Sequence, residues 1–443
     1  MTKPEPATTG AMTLDTEVGS VFVSNYPPFS FWGEEHMPAI DRVLAAPPHP
    51  PADFGLYLHI PFCRKRCKFC YFRVFTDKNS SEMGSYVDAL GREIELYATM
   101  PAIAGRRPKF VYFGGGTPSF ISPSHLQALV DRAQAAIPWT GVEEVSFECE
   151  PGTLTETKVH AIKDIGVTRL SLGIENFDDE ILRENGRAHL SKEIGRCLPW
   201  IEAAGFEQLN IDLIAGMVGE RWETWRETVA KTVDMMADSV TIYQMELPFN
   251  TRYSGRILDG TFDTELATWE TKRAWQDYAF EELAKVGYEV SSAYTMVRSL
   301  ETTHFVYRDA VWDGCDMLGT GVASFSHLSG VHFQNVDGWG EYLASLRDGR
   351  LPLGRALPTT DRDRLIRELI LQLKRGYLEV GNFQTKFGVK ILEEFARPFA
   401  ELAELGMLEL ADDSVRLTRR GLLQVDTLLP KFYDRAYHGA RYT

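Results

Sequence analysis

No stretch of this 443-residue chain reaches 18 consecutive apolar residues, so no membrane-spanning helix is expected. Basic residues are in deficit: 47 Lys and Arg stand against 62 Asp and Glu, a formal net charge of −15. That balance argues against a nucleic-acid backbone or an anionic membrane surface as the main partner. Cysteine is scarce, six in all, which fits a reducing compartment better than a disulfide scaffold. Met1 to Gly10 is polar and lacks the apolar core of a signal sequence, so the expected location is the cytoplasm. Internal repeats are absent too.

Half of those few cysteines fall in one run, Cys63-Arg64-Lys65-Arg66-Cys67-Lys68-Phe69-Cys70, directly after the apolar strand Leu56–Phe62. This C-x3-C-x2-C spacing offers three thiolates, whereas iron–sulfur clusters normally take four. A four-iron cubane held here keeps one iron without a protein ligand. A structural zinc would want a fourth Cys or His at knuckle spacing, and His59 lies too close upstream, on a strand. Cys149, Cys197 and Cys315 sit in apolar surroundings and read as buried thiols. The spacing resembles that of the radical S-adenosylmethionine (SAM) superfamily. The resemblance implies a [4Fe–4S] cluster whose open iron takes the amino and carboxylate groups of SAM. Electron transfer into the sulfonium would then release a 5′-deoxyadenosyl radical, under anaerobic or protected conditions.

The chain divides into an N-terminal arm and linker (1–52), a core (53–250), a barrel-capping segment (251–355) and a C-terminal small domain (356–443). Residues 1 to about 20 read as disordered, 21–32 as an aromatic, ordered arm, and 45–51 as a proline-rich linker. Apolar runs at 55–60, 110–113, 144–149, 169–174, 209–214 and 239–244 alternate with helical patterns at 85–98, 124–136, 155–165, 192–204 and 222–236. Six β/α units predict an α/β fold, an open (β/α)6 partial TIM barrel with parallel strands. Its chemistry should gather at the C-terminal strand ends. A long helix over 264–286 and the stretch to about 334 are expected to cover the mouth. Amphipathic helices at 362–374 and 390–405 followed by a hairpin predict a small α+β domain like a winged helix. No basic face accompanies it, so packing is expected rather than DNA binding.

Several motifs fall at the strand ends. Gly114-Gly115-Gly116-Thr117-Pro118 offers close backbone approach and unhindered N–H groups to a ligand. Glu148 can accept both hydroxyls of a ribose, or be a solvated strand-end charge; Glu150 is open between site and scaffold. Arg187 is less specific on its own. Asp212, flanked by Ile and Leu, is costly unless paired, which leaves function and a structural ion pair equally open. Tyr294, Tyr307, Trp312, Phe325, His327 and His332 read either as aromatic core or as a face for a flat substrate.

Beyond the cysteine run, the chain from about 54 to 430 resembles the oxygen-independent coproporphyrinogen III oxidases and their relatives, the HemN-like family. The resemblance rests on Tyr57–Cys63, Phe113–Pro118, Arg169–Glu175, Asn210–Gly216, Leu318–Val322 and the C-terminal small domain. It implies two SAM molecules side by side. Tyr57, Gly115, Glu148 and the backbone near Met245 and Phe325 would hold the first. Phe69, Gly116, Thr117, Arg187 and Asp212 would hold the second. Glu175 stands where the family usually has Gln; a carboxylate there could still meet an ammonium group.

The family includes decarboxylating oxidases, haem chaperones, haem-cleaving enzymes and radical methyltransferases or cyclopropanating enzymes. Oxidases often carry another Cys two residues after the third ligand, where Phe72 stands. The haem-binding branch carries a His-Asn-x-x-Tyr-Trp-like motif; the corresponding stretch here, Tyr307–Trp312, has Tyr in place of the His and Arg in place of the Asn, which argues against haem ligation on that pattern. By exclusion, the expected reaction is methyl or methylene transfer to an sp2 carbon of a planar, apolar small molecule. The alternatives are coproporphyrinogen decarboxylation, with Arg252, Arg256 and Arg298 meeting the carboxylates, and haem handling. A flavodoxin- or ferredoxin-type donor is expected to supply the electron.

Overall fold

The computed structural model describes residues 18–48 and 52–439. The expectation of disorder therefore lies outside the described residues up to 17, as does part of the 45–51 linker, while Gly19 and Ser20 are ordered, Gly19 N–H donating to Leu247 O at 2.8 Å. Six strands form the centre: β1 (Phe54–Ile60), β2 (Phe110–Gly115), β3 (Glu144–Cys149), β4 (Arg169–Glu175), β5 (Gln208–Ala215) and β6 (Ser239–Gln244). They are hydrogen-bonded in sequence order and all parallel. The six runs read from the sequence thus become the six strands, two with the same bounds and four with ends moved by one or two residues.

Alternation within these strands explains the architecture. Leu56, Leu58, Val111, Phe113, Leu170, Leu172, Ile211 and Leu213 are buried in one continuous core under the surrounding helices. The other face carries Tyr57, Tyr112, Ser146 and Arg169 in one register, with Glu148, Ser171, Asn210 and Ser239 in the next. A parallel sheet with helices on both sides would be apolar on both faces. Here the polar face lines the lumen of a partial barrel.

The sheet continues past both ends. β9 (Asp316–Thr320) pairs parallel to β1, and β10 (Phe325–Leu328), β11 (Val331–Asn335) and β12 (Leu353–Pro358) follow antiparallel. At the other end β8 (Thr295–Val297) pairs antiparallel to β6, and β7 (Glu289–Val290) to β8. The helix expected from residue 264 begins at Trp269, where the Thr268 hydroxyl caps it, and runs to Lys285. It contacts β5, β6 and the helix Trp222–Asp234, so it joins the outer helical layer.

The mouth is crossed instead by the N-terminal arm. Ser20 donates to the Glu246 carboxylate, as do the Val21 and Phe22 N–H groups at 3.0 and 2.9 Å. Val23 N–H donates to Asp426 of the small domain at 2.9 Å, and Lys374 pairs with Asp426 at 2.8 Å. The small domain holds the sheet β13 (Tyr377–Glu379), β14 (Leu408–Leu410) and β15 (Ser414–Leu417). Its helix expected over 390–405 is broken at Phe395 into Ile391–Glu394 and Ala396–Glu404. Pro398 has no N–H for the Glu394 carbonyl, which accounts for the break.

Candidate functional site

The cysteine run is a closed loop on the end of β1. Cys63 N–H donates to Phe75 O at 3.1 Å and Phe75 N–H to Pro61 O at 2.8 Å. Lys68 is held inside the loop: its N–H donates to Asn185 O and its carbonyl accepts from Arg252 and Tyr253 N–H. Cys63, Cys67 and Cys70 are free thiols at half-buried positions. Thr117 Oγ1 donates to Cys63 Sγ, and Arg187 Nη1 to Cys67 Sγ, each at 3.4 Å. Burial, with the neighbouring thiols adding to it, pushes Cys63 up to about 12 and Cys70 up to about 11.

These three side chains fit a cluster. Donors aimed at two sulfurs suit thiolates, whose charge a bound iron stabilises. Among the described residues no three His, Cys, Asp or Glu side chains group tightly enough for a single metal ion.

Beside the loop, the glycine turn closes β2. Gly115 has φ +112°, and a Cβ there would lie 2.4 Å from the His59 ring; a Cβ at Gly116 would lie 2.8 Å from the Pro61 carbonyl carbon. Only glycine fits both places. Glu148 accepts from Tyr112 OH at 2.7 Å and Gly115 N–H at 3.2 Å. Burial raises its carboxyl to about 7, with Asp212 adding to the rise and those donors opposing it. Tyr57 stacks on Tyr112 with centroids 5.7 Å apart, and its OH lies 3.4 Å from His59 Nδ1. Burial lowers His59 to about 4, so the imidazole is neutral.

Opposite charges meet on the other side. Arg187 Nη2 lies 3.5 Å from the Glu175 carboxylate and donates to Gly173 O at 2.8 Å. Glu175 sits at φ 66°, where the β4–β5 register shifts. Few residues other than glycine hold that conformation without support. His189 supplies it: Nε2 is 3.1 Å from Ile174 O, and Nδ1 is 2.7 Å from Glu150. Glu150 is thus a buried buttress. Asp212, across from Gly173 and Thr241, accepts from Ser171 at 2.6 Å and Asn210 at 2.9 Å rather than from a cation.

Met245 N–H donates to Ala215 O at 2.8 Å, and its carbonyl accepts from buried Lys272 at 2.7 Å. Phe69 packs with the cluster containing Ile181, Met217 and Met245. Phe325 packs against Phe29 and Trp32 of the arm, at 4.3 and 5.6 Å.

The late aromatic residues do not gather in one place. Tyr307 packs at a tilt against Tyr112, with centroids 4.3 Å apart, in a separate group with Phe110. Tyr294 joins Phe22 and Tyr243. His327 and His332 form a buried Nδ1–Nδ1 pair 2.9 Å apart. Trp312 sits under Arg308 and Arg375.

Sequence reasoning missed Tyr112, Arg169, His189, Tyr243, Glu246 and Lys272. Period-two alternation was the available signal for Tyr112, Arg169 and Tyr243; the others depend on contacts between distant segments. Tyr243 is 42% exposed, yet it faces Asp212, Glu148 and Glu175 and so opens into the lumen. Tyr71 is likewise near Glu246 and Glu148 and stacks on Phe72 at 4.4 Å.

Arg252, Arg256 and Arg298 do not converge. Arg252 is exposed beside Lys68, Arg256 pairs with Asp263 at 3.2 Å, and Arg298 bonds Met236 O beyond β8, at the opposite end of the barrel.

The radical SAM superfamily matches residues 57–231, and the HemN C-terminal domain matches residues 359–423. A haem chaperone HemW of Lactococcus lactis is 25% identical over 85% of this chain and 96% of its own length. An oxygen-independent coproporphyrinogen III oxidase of Cereibacter sphaeroides is 26% identical over 84% of this chain and 85% of its own. The solved coproporphyrinogen III oxidase HemN of Escherichia coli superposes with a TM-score of 0.80 at 22% identity, covering 93% of this chain and 96% of that one. Methyl transfer, the reaction expected from the sequence, appears in none of these three names. No helix among the described residues is long and apolar enough to cross a membrane. The chain carries a radical SAM domain and a HemN C-terminal domain, and its fold is that of the HemN structure.

Proposed function

We propose that this enzyme transfers a one-carbon unit to an sp2 carbon of a planar, uncharged or weakly polar small molecule. Cys63, Cys67 and Cys70 would hold the [4Fe–4S] cluster, which with SAM supplies a 5′-deoxyadenosyl radical when an electron is delivered. Gly115 offers backbone to the amino group of the first SAM, and Glu148, oriented by Tyr112, takes its ribose hydroxyls. Arg187 and Glu175 present opposite charges 3.5 Å apart, which suits the carboxylate and ammonium of a second SAM. Phe69, Gly116, Thr117 and Asp212 would complete that second position, and Met245 and Phe325 the first.

The observation that carries the substrate class is the lumen's charge. Glu148, Glu175, Asp212 and Glu246 face it. Its cations are already engaged: Arg187 by Glu175, Lys374 by Asp426 and Lys272 by the Met245 carbonyl. Arg169 lies deep on the floor, with its guanidinium 3.9 Å from the Phe305 ring centre. Among the described residues the cations that face the lumen are thus held by other groups of the chain, whereas Tyr71, Tyr243 and Tyr294 offer flat faces. Burial under the arm keeps water from the reacting carbon.

Oxidative decarboxylation of a porphyrinogen is the second reading, favoured by the names of the relatives that align over most of their length. Anaerobic turnover with product analysis separates the two. S-adenosylhomocysteine formed together with 5′-deoxyadenosine supports transfer; carbon dioxide from coproporphyrinogen III overturns it.

A further inference from the structure

The floor of the barrel holds a guanidinium whose donors are unused. On the lumen face of β4, Arg169 lies beside Ser146 of β3 and Gln208 of β5. Ser171, next to Glu148, and Gly173, next to Asp212, follow above it. Arg169 is 2% exposed. Among the described residues its side chain makes no ion pair and no hydrogen bond, and Nε is buried without a partner. The Phe305 ring, 3.9 Å from the guanidinium, meets its charge but supplies no oxygen to its five N–H donors.

The neighbouring charges are committed elsewhere. Glu144 accepts from the Ser146 hydroxyl at 2.8 Å and from the Val306 and Tyr307 N–H groups at 2.9 and 3.3 Å. Glu148 takes its bonds from Tyr112 and Gly115, and Asp212 from Ser171 and Asn210. Arg308, 5.8 Å from the same ring, pairs with Asp309 at 2.8 Å. A charged donor left buried and unpaired is costly, so the lumen favours a ligand that brings Arg169 an oxygen.

The guanidinium faces upward. Burial raises the carboxyls of Glu148 and Asp212, and the Arg169 charge acts against that rise in both. It acts in the same sense on the hydroxyl of Tyr243, whose ring opens into the lumen. Arg169 therefore stands beneath the positions proposed for SAM. Glu148, Glu175, Asp212 and Glu246 face that space, and their field opposes an anionic ligand group there. A neutral oxygen meets no such opposition.

We propose that Arg169 anchors a neutral carbonyl oxygen of the substrate, a flat ring compound that lies against Tyr243 with this oxygen turned to the floor. The inference rests on the planar substrate of the proposed function and narrows it to ring carbonyl compounds.

The test uses the full chain with its cluster, oxidised and saturated with SAM so that no turnover occurs. Three probes are compared: chromone, a flat bicycle with a ring ketone; naphthalene, of similar size without it; and 2-naphthoate, which carries a carboxylate. Their affinities are measured by equilibrium dialysis for the native chain, Arg169→Met and Arg169→Lys. Water holds chromone more strongly than naphthalene, so an apolar slot alone would favour naphthalene. The native chain is expected to bind chromone about tenfold or more tighter than naphthalene, and tighter than 2-naphthoate. Arg169→Met should abolish the preference over naphthalene. Arg169→Lys, which keeps the charge without the planar fork, should retain part of it. Iron content and a cooperative thermal transition show that each variant is folded; should Arg169→Met fail there, the native ratios and Arg169→Lys carry the test. Naphthalene bound as tightly as chromone by the native chain overturns the proposal and leaves a planar substrate standing. Tighter 2-naphthoate, or a chromone preference that survives in Arg169→Met, does the same. If none of the three binds, this inference and the planar substrate fall together.

Discussion

Arg187 donates to Cys67 Sγ at 3.4 Å while its other terminal nitrogen stands 3.5 Å from Glu175. One guanidinium therefore joins the cluster loop to the strained end of β4. The attraction of Cys67 and Glu175 outweighs the burial that would otherwise lower its pKa, and keeps it charged. Replacing it with Gln removes a hydrogen bond to a cluster sulfur, which should shift the cluster's midpoint potential negative. It also leaves buried Glu175 unpaired, at a cost of roughly 3 kcal/mol. Potentiometric titration followed by electron paramagnetic resonance, with chemical denaturation alongside, reads both effects.

Gly115→Ala puts a methyl 2.4 Å from His59 at a φ that Ala resists. Strain of this kind costs about 1–3 kcal/mol. The cysteines are untouched, so iron content should hold while SAM affinity drops about tenfold or more. Equilibrium binding of SAM to reconstituted protein checks it.

Glu93 shows how a distant carboxylate holds the sheet extension. It accepts from Tyr342 OH at 2.6 Å, Asn335 Nδ2 at 2.6 Å and Gly321 N–H at 2.8 Å. Burial raises it from 4.5 to about 7 against those donors. A raised carboxyl contributes its full stability below its unfolded pKa and loses it as pH climbs through the folded value. Stability should therefore fall between pH 4.5 and 7 by roughly 3 kcal/mol from this group. Glu93→Gln should flatten that slope, seen as a thermal midpoint that changes less with pH.

Lys374 is buried, pairs with Asp426 at 2.8 Å and bonds the Val23 carbonyl. Lys374→Met leaves Asp426 uncompensated and should cost roughly 3–5 kcal/mol. The arm should come loose with it. Limited proteolysis is then expected to cut between residues 18 and 30 faster than in the native chain.

Local signals carried much of this architecture. Each of the six core strands reads from its own apolar alternation, and the cysteine spacing reads without any fold. What stayed hidden depends on long-range pairing. Nothing near Asp316 says that β9 will lie beside β1, some 260 residues earlier in the chain. Nothing near Glu246 announces that residues 20–22 will dock on it. Phe395 reads as helix because amphipathic spacing persists through it; Pro398, three residues on, lacks the N–H that would continue the ladder. Asp212 was legible as an expensive strand carboxylate, yet that its partners would be Ser171 and Asn210 depended on register. The failure of Arg252, Arg256 and Arg298 to meet has the same origin: sequence gives the charges, and only the fold gives their direction.

The most direct measurement is anaerobic reconstitution of the full chain, followed by iron counting and incubation with SAM and dithionite. Four irons held by Cys63, Cys67 and Cys70 and formation of 5′-deoxyadenosine are expected, with Cys67→Ala abolishing that formation. A chain that takes up no cluster, or a Cys67→Ala variant that cleaves SAM at the native rate, would contradict it.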